Sequence, residues 1–188
     1  MRLFAAVLPP VEAVAELGVT VDRLRKLPGS DGLRWTGRAG WHLTLAFMGE
    51  VDEGLLPELR VRLARAAGRT APFPLRIRGG GHFGHRALWA GVAGGLDELR
   101  LLAERSDAAA RRAGVAMTEH RRYLAHLTLA RSRAETDLGP CLAELSGFEG
   151  TPWEVTELAL IRSDPPVPGV PGAQPRYGTV DSWPLGRS

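Results

Sequence analysis

The pentapeptide His42-Leu43-Thr44-Leu45-Ala46 returns unchanged 84 residues later as His126-Leu127-Thr128-Leu129-Ala130. Two further matches keep the register. Leu3-Phe4-Ala5-Ala6-Val7 aligns with Leu88-Trp89-Ala90-Gly91-Val92 at a separation of 85, and Ile77-Arg78 aligns with Ile161-Arg162 at 84. Leucine and alanine match by chance in a chain rich in both, but a histidine and a threonine inside three ordered matches mark an internal duplication. A duplicated chain of this kind must fold as two similar sets of elements that bury apolar surface together. Two lobes related by a pseudo-two-fold axis follow, each holding one copy of the same strand.

Hydrophobic periodicity predicts the same series of elements twice. Leu3–Leu8 reads as a strand stopped by Pro9-Pro10, and Val14, Leu17, Val21 and Leu24 read as a helix to about Leu27. Trp41–Met48 reads as a strand, Leu55 to Ala66 as a helix, and Phe73–Arg78 as a strand followed by a flexible Gly79-Gly80-Gly81. The series restarts with a strand at Leu88–Val92, a helix through Leu99, Leu102 and Ala109, and a strand at Leu124–Ala130. A short helix at Leu138–Leu145 and strands at Val155–Ile161 and Tyr177–Trp183 complete it. The Pro/Gly-rich stretch 164–172 reads as a surface loop within a single domain, 1–188, whose lobes form around approximately 1–80 and 86–188.

Residues i and i+2 of a strand share a face. His42 and Thr44 therefore point one way while Leu43 and Leu45 face a core, and His126 and Thr128 repeat this against Leu127 and Leu129. Two such strands facing one another would place two imidazoles and two hydroxyls around one point. Histidine titrates near neutral pH, so the pair can hold one base and one acid. Threonine hydroxyls can donate to anionic oxygens. Such a site suits a small tetrahedral anion: one histidine activates water, the other protonates the leaving oxygen, and the threonines hold non-bridging oxygens.

Charge agrees locally rather than globally. Lys plus Arg exceeds Asp plus Glu by only three, 24 against 21, which argues against a broad basic face. Yet Arg121, Arg122, Arg131 and Arg133 bracket the second motif with no acid between Arg121 and Arg133, and Arg34 and Arg38 precede the first motif. Arg131 is the best phosphate clamp among them, because a strand that curls at its end could aim it inward despite its odd spacing from His126.

The paired His-x-Thr-x motifs, with Leu88-Trp-Ala-Gly-Val92, Arg162-Ser163 and Trp183-Pro184-Leu185, resemble the 2H phosphoesterase superfamily. Within it they are most similar to the RNA 2′,3′-cyclic phosphodiesterases, also called 2′-5′ RNA ligases. The resemblance implies an α+β bilobal fold, with largely antiparallel sheets of duplicated β-α-β-α-β units around a central cleft. It implies metal-independent opening of a cyclic phosphate to a 2′-phosphomonoester, with His42 as proton donor and His126 as proton acceptor. Thr44, Thr128 and Arg131 match phosphate-binding positions, and Phe47 and Tyr123 match aromatic positions suited to nucleotide contact. Ala125 departs from the pattern, since the family usually carries proline before the second histidine.

No cofactor and no metal is expected, because each motif offers one histidine and a threonine rather than a full ligand set. The single cysteine, Cys141, reads as a small buried residue and excludes an intrachain disulfide or a multi-cysteine metal site. His82 and His85 read as exposed histidines on a glycine-rich turn, and His120 has no partner in sequence. The lone cysteine suits a reduced cytoplasm, the apolar run at Leu3–Leu8 is too short for a signal peptide, and nothing reaches the length of a membrane span. A monomer is expected, and the resemblance implies RNA ends, tRNA fragments among them, as its partner. The competing readings are a non-catalytic RNA-end binding module, a phosphodiesterase for small cyclic nucleotides, and a zinc hydrolase.

Overall fold

A computed structural model describes residues 1–117, 122–132 and 134–186. In chain order its regular elements are β1 (Arg2–Val7), α1 (Val11–Leu24), β2 (Arg34–Trp35), β3 (Leu43–Glu50), α2 (Leu56–Gly68), β4 (Phe73–Phe83) and β5 (Ala87–Gly94). There follow α3 (Leu96–Arg112), β6 (Leu127–Arg131), α4 (Gly139–Ser146), β7 (Trp153–Val155), β8 (Glu157–Asp164) and β9 (Arg176–Pro184). The periodicities explain most of them. In α1 the buried Ala13, Leu17, Val21 and Leu24 recur at three- and four-residue steps, with Glu12 in the first turn and Arg23 in the last, each at the favourable end of the helix dipole.

The fold is α+β with two antiparallel sheets. One has strand order β3-β1-β8-β9 and the other β2-β6-β5-β4-β7. The repeat relates β1 to β5, β3 to β6 and β8 to β4, so the shared order β3-β1-β8 and β6-β5-β4 is the duplication written in hydrogen bonds. Each half nevertheless sends its third strand into the other half's sheet, and neither sheet is built from one half of the chain alone. The helices cross as well: α3 follows β5 but packs on α2 and β3, while α1 follows β1 but contacts β4 and α4. Local periodicity identifies an element without saying which sheet it joins, so the sequence carries no trace of this exchange.

Two sequence expectations need correction. The glycine run Gly79-Gly80-Gly81 lies inside β4, which continues to Phe83 beside β5, so His82 belongs to a strand rather than a turn. Gly79 adopts a positive φ of 61° where the β4–β5 register shifts, and a Cβ at Gly81 would collide with the Trp89 indole. Those glycines make room rather than slack. The single strand expected at Val155–Ile161 is two, β7 paired with β4 and β8 paired with β1, because the chain changes sheets at Thr156.

One hydrophobic core runs through both sheets and includes Leu3, Ala5, Leu43, Leu63, Leu88, Leu127 and Leu160. The alternate residues of β1, Phe4 and Ala6, face the other way into a small cluster with Ala159, Ile161 and Tyr177. Thr44 and the His42 ring lie against that second face.

Candidate active site

Each motif histidine occupies the residue just before a strand, His42 before β3 and His126 before β6, one step short of where alternation alone puts it. The leucines that follow hold the orientation. Leu43 and Leu127 are wholly buried, which stabilises each by about 1.5–3 kcal/mol, and turning either strand over would expose them.

In the first half-site the His42 ring stacks on Phe4 with centroids 4.6 Å apart and meets Tyr177 edge-on at 5.1 Å. Thr44 lies opposite Ala6 and so shares the face of Phe4 and Ala6. Burial lowers the His42 pKa to about 4, and a hydrogen bond with the Ala39 backbone opposes that fall only in part. In the second half-site His126 stands perpendicular to Phe83 at 5.0 Å and 5.9 Å from Trp89, with Thr128 opposite Trp89. The His126 Nδ1 lies 2.8 Å from the Leu124 carbonyl. When that nitrogen donates to the carbonyl, the neutral ring carries its lone pair on Nε2.

Matching bulges finish both half-sites. The β1–β3 register makes Leu45 an extra residue, and the β5–β6 register does the same to Leu129. A bulged residue reverses the facing of everything after it. Arg131, five residues past His126, thereby comes opposite Ala87 on the face of Trp89 and Thr128, and Phe47, five past His42, comes opposite Phe4. Phe47 is half exposed, with the Arg2 guanidinium 5.2 Å above its ring. Arg131 also pairs across strands with Arg34, and neither has an ion-pair partner among the described residues. Directly opposed like charges repel, so an anion beside them is favoured.

Tyr177 joins the two halves. Burial raises its hydroxyl pKa, while the guanidiniums of Arg131 and Arg2 pull it down. The ring that touches His42 in one sheet therefore lies within the field of an arginine from the other. A strap holds this junction: Gly37 N donates to Gln174 Oε1 at 3.3 Å, and Gln174 Nε2 donates to the Trp35 carbonyl at 3.2 Å.

The remaining candidates separate. Tyr123 packs against the main core with its hydroxyl enclosed and unpartnered, and burial raises its pKa. Ala125 packs there too. Arg38 lies against Gly18 of α1 and over the Trp41 ring, whereas Arg122 is exposed. His82 Nδ1 contacts the Gly84 carbonyl at 2.6 Å, and both His82 and His85 are exposed. His120, Arg121 and Arg133 lie outside the described residues. Sequence reasoning missed Phe4, Arg2, Tyr177 and Phe83. The repeat carried a signal for the first, since it aligns Phe4 with Trp89, and strand alternation placed Arg2 on the same face. Nothing local pointed to Tyr177 or Phe83.

Residues 9–166 match the model of the 2′-5′ RNA ligase superfamily. An RNA 2′,3′-cyclic phosphodiesterase of Thermus thermophilus is 34% identical over 177 residues, covering 87% of this chain and 82% of the relative. One from Geobacillus stearothermophilus is 30% identical over 157 residues, covering 80% of this chain, which spans about half (47%) of that relative's length. Escherichia coli LigT in apo form superimposes with a TM-score of 0.76 at 26% identity, covering 99% of this chain and 98% of LigT, and LigT complexed with 3′-AMP does so at 0.75.

Proposed function

The chain belongs to the 2′-5′ RNA ligase superfamily, and on that premise we propose that it opens RNA 2′,3′-cyclic phosphate ends to 2′-phosphomonoesters with two histidines and no metal ion. The observation that carries the reading is the junction at Tyr177, whose ring meets His42 edge-on at 5.1 Å and whose preceding loop is tied through Gln174 to Gly37 and to Trp35, the residue paired with Ala130 of β6. One phosphate group could then be served by both.

In the proposed step a water oxygen bonds to phosphorus as the bond from phosphorus to the 3′-oxygen breaks. His126 takes the proton from the water through Nε2, the position left free when Nδ1 donates to Leu124. His42 gives its proton to the departing 3′-oxygen. Thr44, Thr128 and Arg131 hold the non-bridging oxygens, and Arg131 supplies the fixed positive charge. Phe47, exposed on the same face, is the surface offered to a base, whereas Tyr123 supports the strand entry from within the core.

His42 enters this cycle neutral. With a pKa of about 4 it is deprotonated at pH 7 in the free protein, and a bound phosphate anion favours its imidazolium form. Protonation of the acid is thereby coupled to substrate binding. With the 5′-hydroxyl of a second strand in place of water, the same displacement forms a 2′-5′ linkage as the bond from phosphorus to the 3′-oxygen breaks. The reading describes a cytoplasmic monomer; no helix among the described residues is long and apolar enough to cross a membrane.

Phosphorus NMR of an oligoribonucleotide ending in a 2′,3′-cyclic phosphate, incubated with the protein in excess chelator, tests it. Accumulation of 2′-phosphate alone supports the proposal. RNA binding without turnover would make the chain a binding module, chelator-sensitive turnover would bring in a metal, and a 3′-phosphate product would mean that the other bond breaks.

A further inference from the structure

The helices α2 and α3, on the side of the first sheet away from the histidines, carry an unusual concentration of charge. A trough of about 270 Å³ between them is lined by Arg62, Arg65, Arg69, Arg105 and Arg112, against one acid, Glu104. Arg65 and Arg69 also line a cavity of about 530 Å³ that reaches Trp183 near the end of β9. Five arginines and one glutamate exceed the net charge of the whole chain, +3, so the remainder of the molecule is slightly acidic.

Two of these arginines are accounted for within the fold. Arg62 pairs with Glu58, and Arg105 donates to the Arg69 carbonyl and to Thr70 Oγ1 at the end of α2. Arg65, Arg69 and Arg112 have no ion-pair partner among the described residues. Arg65 and Arg69 are four residues apart on one helix face, where like charges repel. A polyanion would relieve that repulsion. The edge strand β9 leads from one site to the other: Tyr177 touches His42 at one end, and Trp183 borders the basic cavity at the other. Six residues of strand span about 20 Å, close to the length of about six stacked nucleotides.

Resting on the proposed function, we propose that this trough is a second, non-catalytic site that holds the backbone of single-stranded RNA about six nucleotides upstream of the end being opened. Arg65, Arg69 and Arg112 bind phosphates, and Trp183 offers a flat face to a base. Substrate length is then read around the edge of the first sheet, independently of the chemistry.

The test compares wild type with the triple variant Arg65→Gln/Arg69→Gln/Arg112→Gln. One arm uses a twelve-nucleotide RNA with a 2′,3′-cyclic end, and the other a cyclic mononucleotide. The variant is expected to raise KM for the long RNA about tenfold and to leave the mononucleotide within twofold. It should also lower the slope of log affinity against log salt by about two, since each single-strand phosphate contact contributes about 0.7. The triple lysine variant should keep the length effect. An unchanged long-RNA KM, or an equal loss on both substrates, would overturn the proposal. Binding of the same twelve-nucleotide RNA with a 3′-hydroxyl end decides the trough even if no cyclic end is turned over, so its failure is separate from that of the enzymatic reading.

Discussion

His42 and His126 open identical pentapeptides, and the backbone treats them identically, with a strand beginning at the next residue and a bulge at the third. Their surroundings do not match. Phe4 and Tyr177 enclose His42 and strip its charge, whereas His126 meets Phe83 and Trp89 while its Nδ1 is tied to a carbonyl. Five residues past each ring the bulge delivers Phe47 on one side and Arg131 on the other. The duplicated motif supplies geometry, while the neighbours set the charge state of His42, the hydrogen bond of His126 and the charge beside each ring. That is how a symmetric frame can hold an asymmetric acid–base pair.

The largest effect expected from breaking this asymmetry is on turnover. His42→Ala and His126→Ala should each lower kcat for a cyclic-phosphate substrate about a thousandfold, the usual scale for losing a general acid or base. Next comes pH-dependent stability, which singles out His42. Its folded pKa lies below the unfolded value of 6.5, so the stability present above pH 6.5 is lost as pH falls through the window down to about 4. The loss approaches about 3 kcal/mol, and in denaturant melts His42→Gln should remove that acid-side slope. An unaltered slope would mean that water reaches the ring.

A smaller change is expected on the Arg131 side. Arg131→Ala should raise KM about ten- to a hundredfold with kcat less affected, as for loss of a hydrogen bond to a charged group. Phe47→Ala, at the equivalent position, should leave phosphate affinity nearly unchanged, and inorganic phosphate inhibition reads the contrast. Smallest of all, Phe83→Leu removes an edge contact worth about 0.5–1.5 kcal/mol and should slow turnover two- to tenfold by loosening His126.

Much of this site was legible beforehand because a repeat is insensitive to local ambiguity. His42, Thr44, His126 and Thr128 could be placed on faces from alternation, and the leucines between them anchor those faces as expected. Arg131 was harder: its odd spacing is resolved by a bulge at Leu129, which no residue type announced. The strand β2 is two residues long, too short for any periodicity, yet it brings Arg34 beside Arg131. Gly79-Gly80-Gly81 lacks a side-chain pattern and reads as slack, although Gly81 exists to admit Trp89. Tyr177 stands 135 residues from His42 in sequence and meets it only through tertiary packing.

The central claim is that both half-sites act on one phosphate in one step. A double-mutant cycle in kcat for hydrolysis of a 2′,3′-cyclic end tests it most directly. If the claim holds, His42→Ala/His126→Ala is about as slow as the slower single variant, because groups that act as a unit fail together. If the two losses multiply, the histidines work independently and the shared site is wrong.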